Sequence, residues 1–256
     1  PPTSEKILQA IQKYRVNSFV AVPTIWTRLL SQPDFDKYDL SSLKLSMGGS
    51  DAMPKDLLEQ ILSRTRANSP QVYGLTEGGV LTFLNAKDQR RKIGSSGKPH
   101  IQADIRIVDE EGHDVGPGEV GEIISRSEHQ MLYYWNKPEE TRKTVKNGWL
   151  YTGDLGKIDE DGFLYIVGRK KDMIISGGQN IYPAEVEKTI LMLPQIAEVA
   201  VIGIPDKEWG ESVMAVVVPR EGKRVSEDDI INYVRNQMAG YNKPRYVRFV
   251  DSLPRT

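Results

Sequence analysis

Three clusters in this sequence hold residue types that could do chemistry. The first is Tyr73-Gly74-Leu75-Thr76-Glu77-Gly78-Gly79. A hydroxyl at Thr76 stands beside a carboxylate at Glu77 on a stretch flanked by glycines. That pair suits a phosphate–magnesium site, because Mg²⁺ prefers carboxylate, phosphate and water oxygens. The plainer reading is a strand–turn–helix junction, with Gly74 permitting the turn and Thr76 capping the helix. The second cluster is Tyr151-Thr152-Gly153-Asp154-Leu155. An Asp just after a Gly can accept two hydrogen bonds from a ribose diol, or it can simply sit in a β-turn. The third is Gly168-Arg169-Lys170-Lys171-Asp172, followed by Ser176-Gly177-Gly178-Gln179-Asn180-Ile181-Tyr182-Pro183. A Gly-Gly loop allows a ligand to approach the backbone closely; the charges read equally well as a solvated linker face. His100, His113 and His129 are the only histidines, and none has metal-ligand spacing. They read as surface or turn positions, and Trp26, Trp135, Trp149 and Trp209 as core or interface aromatics.

The elements that must position these clusters follow from patterning. Residues 1 to about 100 alternate helix and strand signals, which argues for an α/β layered region. Ser4 reads as the cap of an amphipathic helix through Leu8 and Ile11. Phe19 to Val22 reads as a buried strand closed by Pro23, which opens a helix through Trp26, Leu29 and Leu30. A strand from Leu43 to Met47 runs into Gly48-Gly49, Pro54 opens a further helix, and Gln71-Val72-Tyr73 is a strand. From about 101 to 168 the pattern changes to period-two runs such as Ala103 to Val108, with turns at Glu110-Glu111-Gly112 and Asp161-Gly162. This predicts a small antiparallel β-barrel. Beyond a hinge at 169–172, residues 173–256 read as α+β. Pro183 begins one helix, Ser226 caps another, and strands run through 199–204, 213–218 and 246–250.

Composition excludes several classes of function. Lys+Arg is 34 and Asp+Glu is 35, so the net charge of −1 argues against wrapping nucleic acid through bulk charge. With no cysteine there are no disulfides, Cys-ligated zinc, iron–sulfur clusters or thiol nucleophile. Apolar residues at 39% and charged residues at 27% fit an ordinary globular chain. No apolar run approaches the ~20 residues of a transmembrane segment, and no signal peptide is visible, so a cytoplasmic location is expected. The 256 residues begin Pro1-Pro2 and stop at Arg255-Thr256, and both ends look cut.

Taken in order, Tyr-Gly-x-Thr-Glu, Thr-Gly-Asp, Gly-Arg-x-Lys-Asp and Gly-Gly-x-Asn-Ile-Tyr-Pro-x-Glu resemble the acyl-adenylate-forming enzymes over essentially the whole chain. The stretch Lys171 to Glu187 is most similar to the acyl-CoA synthetase branch. The resemblance implies ATP/AMP, Mg²⁺ and coenzyme A as cofactors, a small fatty or aromatic carboxylic acid as substrate, and leaves a homo-oligomer open. It implies that Gly48, Gly49 and Ser50 line an adenine pocket, that Tyr73 stacks on the adenine with Gly74 next to it, and that Thr76 contacts phosphate. Glu77 would hold Mg²⁺, Asp154 and Arg169 would contact the ribose, and Lys171 would be the hinge of a rotating C-terminal domain. Gly178 would let the pantetheine arm of CoA reach the adenylate, and Val22, Met47 and Val80 would floor the acyl pocket. The catalytic set is then Thr76, Glu77 and Lys171.

The departures from the family pattern predict an incomplete enzyme. A Ser/Thr/Gly-rich, Lys-containing phosphate loop has no match; Gly94-Ser95-Ser96-Gly97-Lys98-Pro99 is nearest but lies after Thr76-Glu77, and reads as the loop entering the barrel. The family's C-terminal lysine, a little beyond Leu-Pro-Arg-Thr, is absent, so this chain alone is expected to be inactive. Ser50 stands where Ala is usual, and Tyr133 where Gly is expected in Gly-Tyr-Trp. A carrier-loading adenylation domain and a non-catalytic nucleotide-binding module are the rival readings.

Overall fold

The computed structural model describes residues 2–48 and 53–254. Gly49 and Ser50 of the expected adenine segment lie outside the described residues. The chain divides into two compact units, Pro1–Thr152 with Gly156–Ile166, and Gly153–Leu155 with Val167–Thr256.

The first unit opens with α1 (Ser4–Tyr14), β1 (Ser18–Val20), α2 (Pro23–Leu30), β2 (Leu45–Met47) and α3 (Lys55–Thr65). The cap of α1 is Thr3 rather than Ser4: its hydroxyl oxygen accepts the Lys6 N–H at 3.3 Å. Pro23 opens α2 because the first helical N–H has no partner to lose. The three helices turn Leu8, Ile11, Trp26, Leu29, Leu57 and Ile61 into one core. β1 and β2 pair in parallel, Ser18 opposite Leu45 through Val20 opposite Met47. The expected buried strand is only half covered: Phe19 meets Trp26 edge-on at 5.7 Å, while Val20 is 70% exposed. Alternation explains this, since one face of the pair meets the helices and the other does not.

Next come β3 (Gln71–Leu75), β4 (Gly79–Leu84), β5 (Lys98–Pro99), β6 (Ala103–Val108), β7 (Gly121–Ser127), α4 (Pro138–Thr144), β8 (Val145–Lys146), β9 (Trp149–Ile158) and β10 (Leu164–Arg169). β3, β4 and β5 form one antiparallel sheet in that order. The strand order of the second sheet is β10-β9-β7-β6, with β8 on β9. A shared cluster of Tyr73, Leu81, Ala103, Ile107, Ile123 and Leu164 packs the two sheets together. The Gly94–Pro99 string is a joint, as its sequence suggests. Ser95 Oγ and Ser96 N donate to the Leu164 carbonyl at 2.8 Å, and Leu164 N donates back to Gly97 at 2.8 Å.

The second unit holds β11 (Ile174–Ser176), β12 (Gln179–Ile181), α5 (Pro183–Ile190), β13 (Ile196–Asp206), β14 (Gly210–Pro219), α6 (Glu227–Gln237) and β15 (Tyr246–Phe249). Its sheet runs β12-β11-β14-β13, with β15 parallel to β14. Val186 and Ile190 of α5 and Ile230 and Val234 of α6 seal its core with Ile174, Val213 and Val217. Ser226 caps α6 in a capping box, its hydroxyl accepting Asp229 N at 3.2 Å while Asp229 accepts Ser226 N at 3.0 Å. Among the described residues, no helix is long and apolar enough to cross a membrane.

Candidate functional site

Thr76 and Glu77 stand on a hairpin, not at a helix start. Thr76 to Gly78 form the three-residue loop between β3 and β4, closed by Gly78 N donating to Leu75 O at 3.1 Å. Gly79 follows at φ +69, the left-handed residue such loops need. Gly74 does not make the turn. It stays in β3 beside a bulge, where a Cβ would lie 2.1 Å from the Gly79 carbonyl oxygen. Glycine is therefore required at 74 by the close approach of the two strands. Thr76 is exposed and caps nothing, and Glu77 is half-buried.

Glu77 has a partner that the sequence reading missed. The Tyr134 hydroxyl donates to Glu77 Oε1 at 2.8 Å. Burial, first, and the Glu77 carboxylate, second, push the Tyr134 phenol above its usual range. The only signal in the sequence was the aromatic run Tyr133-Tyr134-Trp135, in which nothing marked the middle ring.

Tyr73 is 8% exposed and lies within the cluster that joins the two sheets. Gly48 spends both backbone groups on pairing: its N–H donates to Pro70 O at 3.0 Å and its carbonyl accepts Val72 N at 3.1 Å. A Cβ there would lie 2.3 Å from the Gln71 side chain.

In the second unit, Asp154 lies inside β9 rather than in a turn. Gly153 just before it has φ +71, a local kink in the strand. Asp154 is buried at 5% exposure, and Arg169 Nε at the end of β10 meets its Oδ1 at 2.7 Å. That distance is typical of a charge-assisted hydrogen bond. The two residues expected to contact ribose thus hold each other. Lys171 is exposed on a short 3-10 turn, Lys170–Asp172. Gly177 and Gly178 are the two-residue loop of the β11–β12 hairpin, at φ +57 and +77, the combination that an I′ turn requires. A Cβ at Gly177 would strike the Trp209 ring at 2.4 Å, whereas one at Gly178 would meet nothing within 4 Å.

His113 lies in an exposed turn, as its place in the sequence suggests. The turn after β6 brings Asp109, Glu111 and His113 together, with ligand-type atoms within 4.8 Å of one another. Sequence spacing hid this because a hairpin turn, not a helix face, gathers them. The turn's own bonds account for much of the cluster: His113 N donates to Asp109 Oδ1 at 2.8 Å. Two clefts in the first unit lie away from the motif residues. One, of about 640 Å³, is lined by Asp56, Glu59, Gln60, Ser63 and Arg90, and the other, of about 190 Å³, lies around Phe35 and Arg64.

Chemically, the Thr76 hydroxyl and Glu77 carboxylate are hard oxygen donors, which fits magnesium and phosphate rather than a soft metal. A buried carboxylate such as Asp154 is suited to accept hydrogen bonds from the hydroxyl groups of a ligand.

Comparison with known proteins accords with this set of parts. The AMP-binding enzyme family matches residues 1–135, and the AMP-binding enzyme C-terminal domain matches residues 185–256. A feruloyl-CoA synthase of Amycolatopsis sp is 42% identical over 252 residues, 98% of this chain and 51% of that protein. A long-chain-fatty-acid–CoA ligase of Bacillus subtilis is 40% identical over 250 residues, 97% of this chain and 45% of that protein. Among solved structures, ATP-bound MatB from Rhodopseudomonas palustris superposes with a TM-score of 0.92 at 35% identity, covering 100% of this chain and 50% of that one. The chain spans about half the length of the curated relatives it matches. Matched by the family over more than half its length, and by the family's C-terminal domain over most of the remainder, the chain belongs to the AMP-binding enzymes.

Proposed function

We propose that this chain is part of an ATP-dependent acyl-CoA synthetase. The observation that carries the reading is the 42% identity to a feruloyl-CoA synthase along 98% of the chain. In the first half-reaction a carboxylate oxygen attacks the α-phosphorus of ATP, forming acyl-AMP and releasing pyrophosphate. In the second the CoA thiol attacks the acyl carbon, AMP leaves, and the thiol proton passes to solvent. The logic is one of leaving groups: a carboxylate alone would have to expel oxide, while its adenylate expels AMP.

The residues divide the work as follows. Thr76 donates its exposed hydroxyl to phosphate, and Glu77 presents its carboxylate to magnesium. Magnesium held there would neutralise charge on the phosphates. Asp154, oriented by Arg169, accepts hydrogen bonds from the ribose hydroxyls. Gly48 to Ser50 and Tyr73-Gly74 border the adenine, with Tyr73 contributing one buried ring. Lys171 is the pivot for the second half-reaction, and Gly178, with open space where a side chain would be, admits the pantetheine arm. Val22, Met47 and Val80 favour a fatty or aromatic acid. With ATP and CoA as co-substrates, the reaction belongs in the cytoplasm.

The test uses the full-length protein that contains this chain. A panel of fatty and aromatic acids is assayed for ATP–pyrophosphate exchange and for thioester formation with CoA. Exchange and thioester with at least one acid is the expected result. Exchange without thioester would point to carrier loading, and ATP binding without exchange to a non-catalytic nucleotide-binding module.

A further inference from the structure

The Thr76–Gly78 loop is fastened by a single segment, residues 127–134, that lies far from it in sequence. Ser127 Oγ donates to the Gly78 carbonyl at 2.8 Å, and Met131 N donates to the Glu77 carbonyl at 2.7 Å. Tyr134 then donates its hydroxyl to Glu77 Oε1 at 2.8 Å. The packing is tight as well, since a Cβ at Gly79 would lie 2.9 Å from the His129 Cβ.

Tyr134 is itself held at both backbone groups. Its N–H donates to Thr141 Oγ1 at 3.0 Å, and its carbonyl accepts Lys137 N at 3.1 Å, which ties it to the start of α4. The neighbouring rings do something else. Tyr133 and Trp135 are exposed and stack on each other at 6.5 Å, so only the middle ring of the run turns toward the carboxylate. A phenylalanine would fill that space equally well; the hydroxyl is what reaches Glu77.

A Glu at a loop tip has several rotatable bonds, and fixing them costs side-chain entropy. A carboxylate presented to a cation gains from being set in advance by a neighbouring donor. We propose that Tyr134 is a positioning residue for Glu77: its hydroxyl occupies Oε1 and leaves Oε2 to face magnesium and the phosphates. This rests on the reading of Glu77 as the metal carboxylate. Among the described residues Oε2 accepts no hydrogen bond, so the loop leaves one oxygen available. The phenol donates without carrying charge, so it brings no positive group to compete with the cation.

The experiment measures metal binding directly. The full-length protein is titrated with Mn²⁺, as a spectroscopic stand-in for Mg²⁺, in the presence of α,β-methylene-ATP, and free Mn²⁺ is read by electron paramagnetic resonance. Tyr134→Phe is expected to weaken Mn²⁺ binding about ten- to a hundredfold, the size of one hydrogen bond to a charged group. Its melting temperature is expected to stay within about 2 °C of the parent's. Glu77→Gln is expected to weaken binding further, and adding Tyr134→Phe to it should cost nothing more. Tyr134→Leu, read in the same way, replaces the phenylalanine variant should that one not fold. If Glu77→Gln weakens binding and the Tyr134 variants do not, the positioning role is wrong and the reading of Glu77 stands. If Glu77→Gln leaves binding unchanged, both are overturned.

Discussion

Asp154 is an Asp that could have been a turn residue and is not. It is 5% exposed in the middle of a strand, with Arg169 at 2.7 Å. Because the Arg169 side chain is 54% exposed, replacing Asp154 does not strand a buried cation. Asp154→Asn in the full-length enzyme is therefore expected to fold and to raise KM for ATP ten- to a hundredfold. Hydrogen bonds to a charged acceptor contribute about 1.5–3 kcal/mol each. The check is KM against kcat in pyrophosphate exchange, with a change confined to kcat contradicting a ribose role. A second carboxylate makes a prediction about pH. Asp206 accepts hydrogen bonds from the Ser212 hydroxyl and from the N–H groups of Glu208 at 2.9 Å and Trp209 at 3.1 Å. These hold its carboxyl below the usual Asp range, with Ser212 the largest cause. A depressed folded-state value means stability that is present above about pH 4 and lost as pH falls through the folded value. Asp206→Ala should thus lower stability at pH 7 and narrow its deficit at pH 3, as read by urea unfolding at both.

The two hairpins that carry motif glycines obey different constraints. At Gly74 the conformation is ordinary and the space is absent; at Gly178 the space is open and the conformation is left-handed. Gly178→Ala should cost about 1–2 kcal/mol, the penalty of an L-residue in that region. Gly74→Ala should cost more, because the strand-to-strand approach must open against backbone rather than against a movable side chain. Chemical denaturation of both variants orders them, and a smaller loss at Gly74 would contradict the packing argument. The Tyr-Gly-x-Thr-Glu string announced a glycine-bounded turn, but local sequence could not tell a turn into a helix from a turn into a strand. The hydrophobic run Val80-Leu81-Thr82-Phe83-Leu84 serves either, and β4 is decided by its pairing with β3 and β5.

The chain as a whole carries separate cores in its two units. Trp26, Leu29 and Ile61 belong to one, and Val186, Ile230 and Val234 to the other. Ile230→Ala should remove about 2–5 kcal/mol from the second unit, the usual cost of such a truncation in a packed core. Amide exchange should then speed up within residues 167–254 and stay unchanged around Trp26 and Leu29. Acceleration in both regions would mean that the units unfold together. Period-3.6 and period-2 runs recur on each side of Arg169, so the helices and strands of both units left a local pattern. The strand order β12-β11-β14-β13 was not legible, because nothing local says which strands become neighbours.

By itself the sequence determined most of the helices through local apolar spacing, though not the Thr3 cap of α1, the hairpin at Thr76 or the short α4, and it determined the family, whose motifs are short strings in a set order. Tertiary structure decided which functional groups meet. Asp154 with Arg169, Glu77 with Tyr134, and Asp109 with His113 are joined by strand pairing or by turns. Side-chain contact across a sheet or a loop depends on register and closure, and neither is written in the residues that touch.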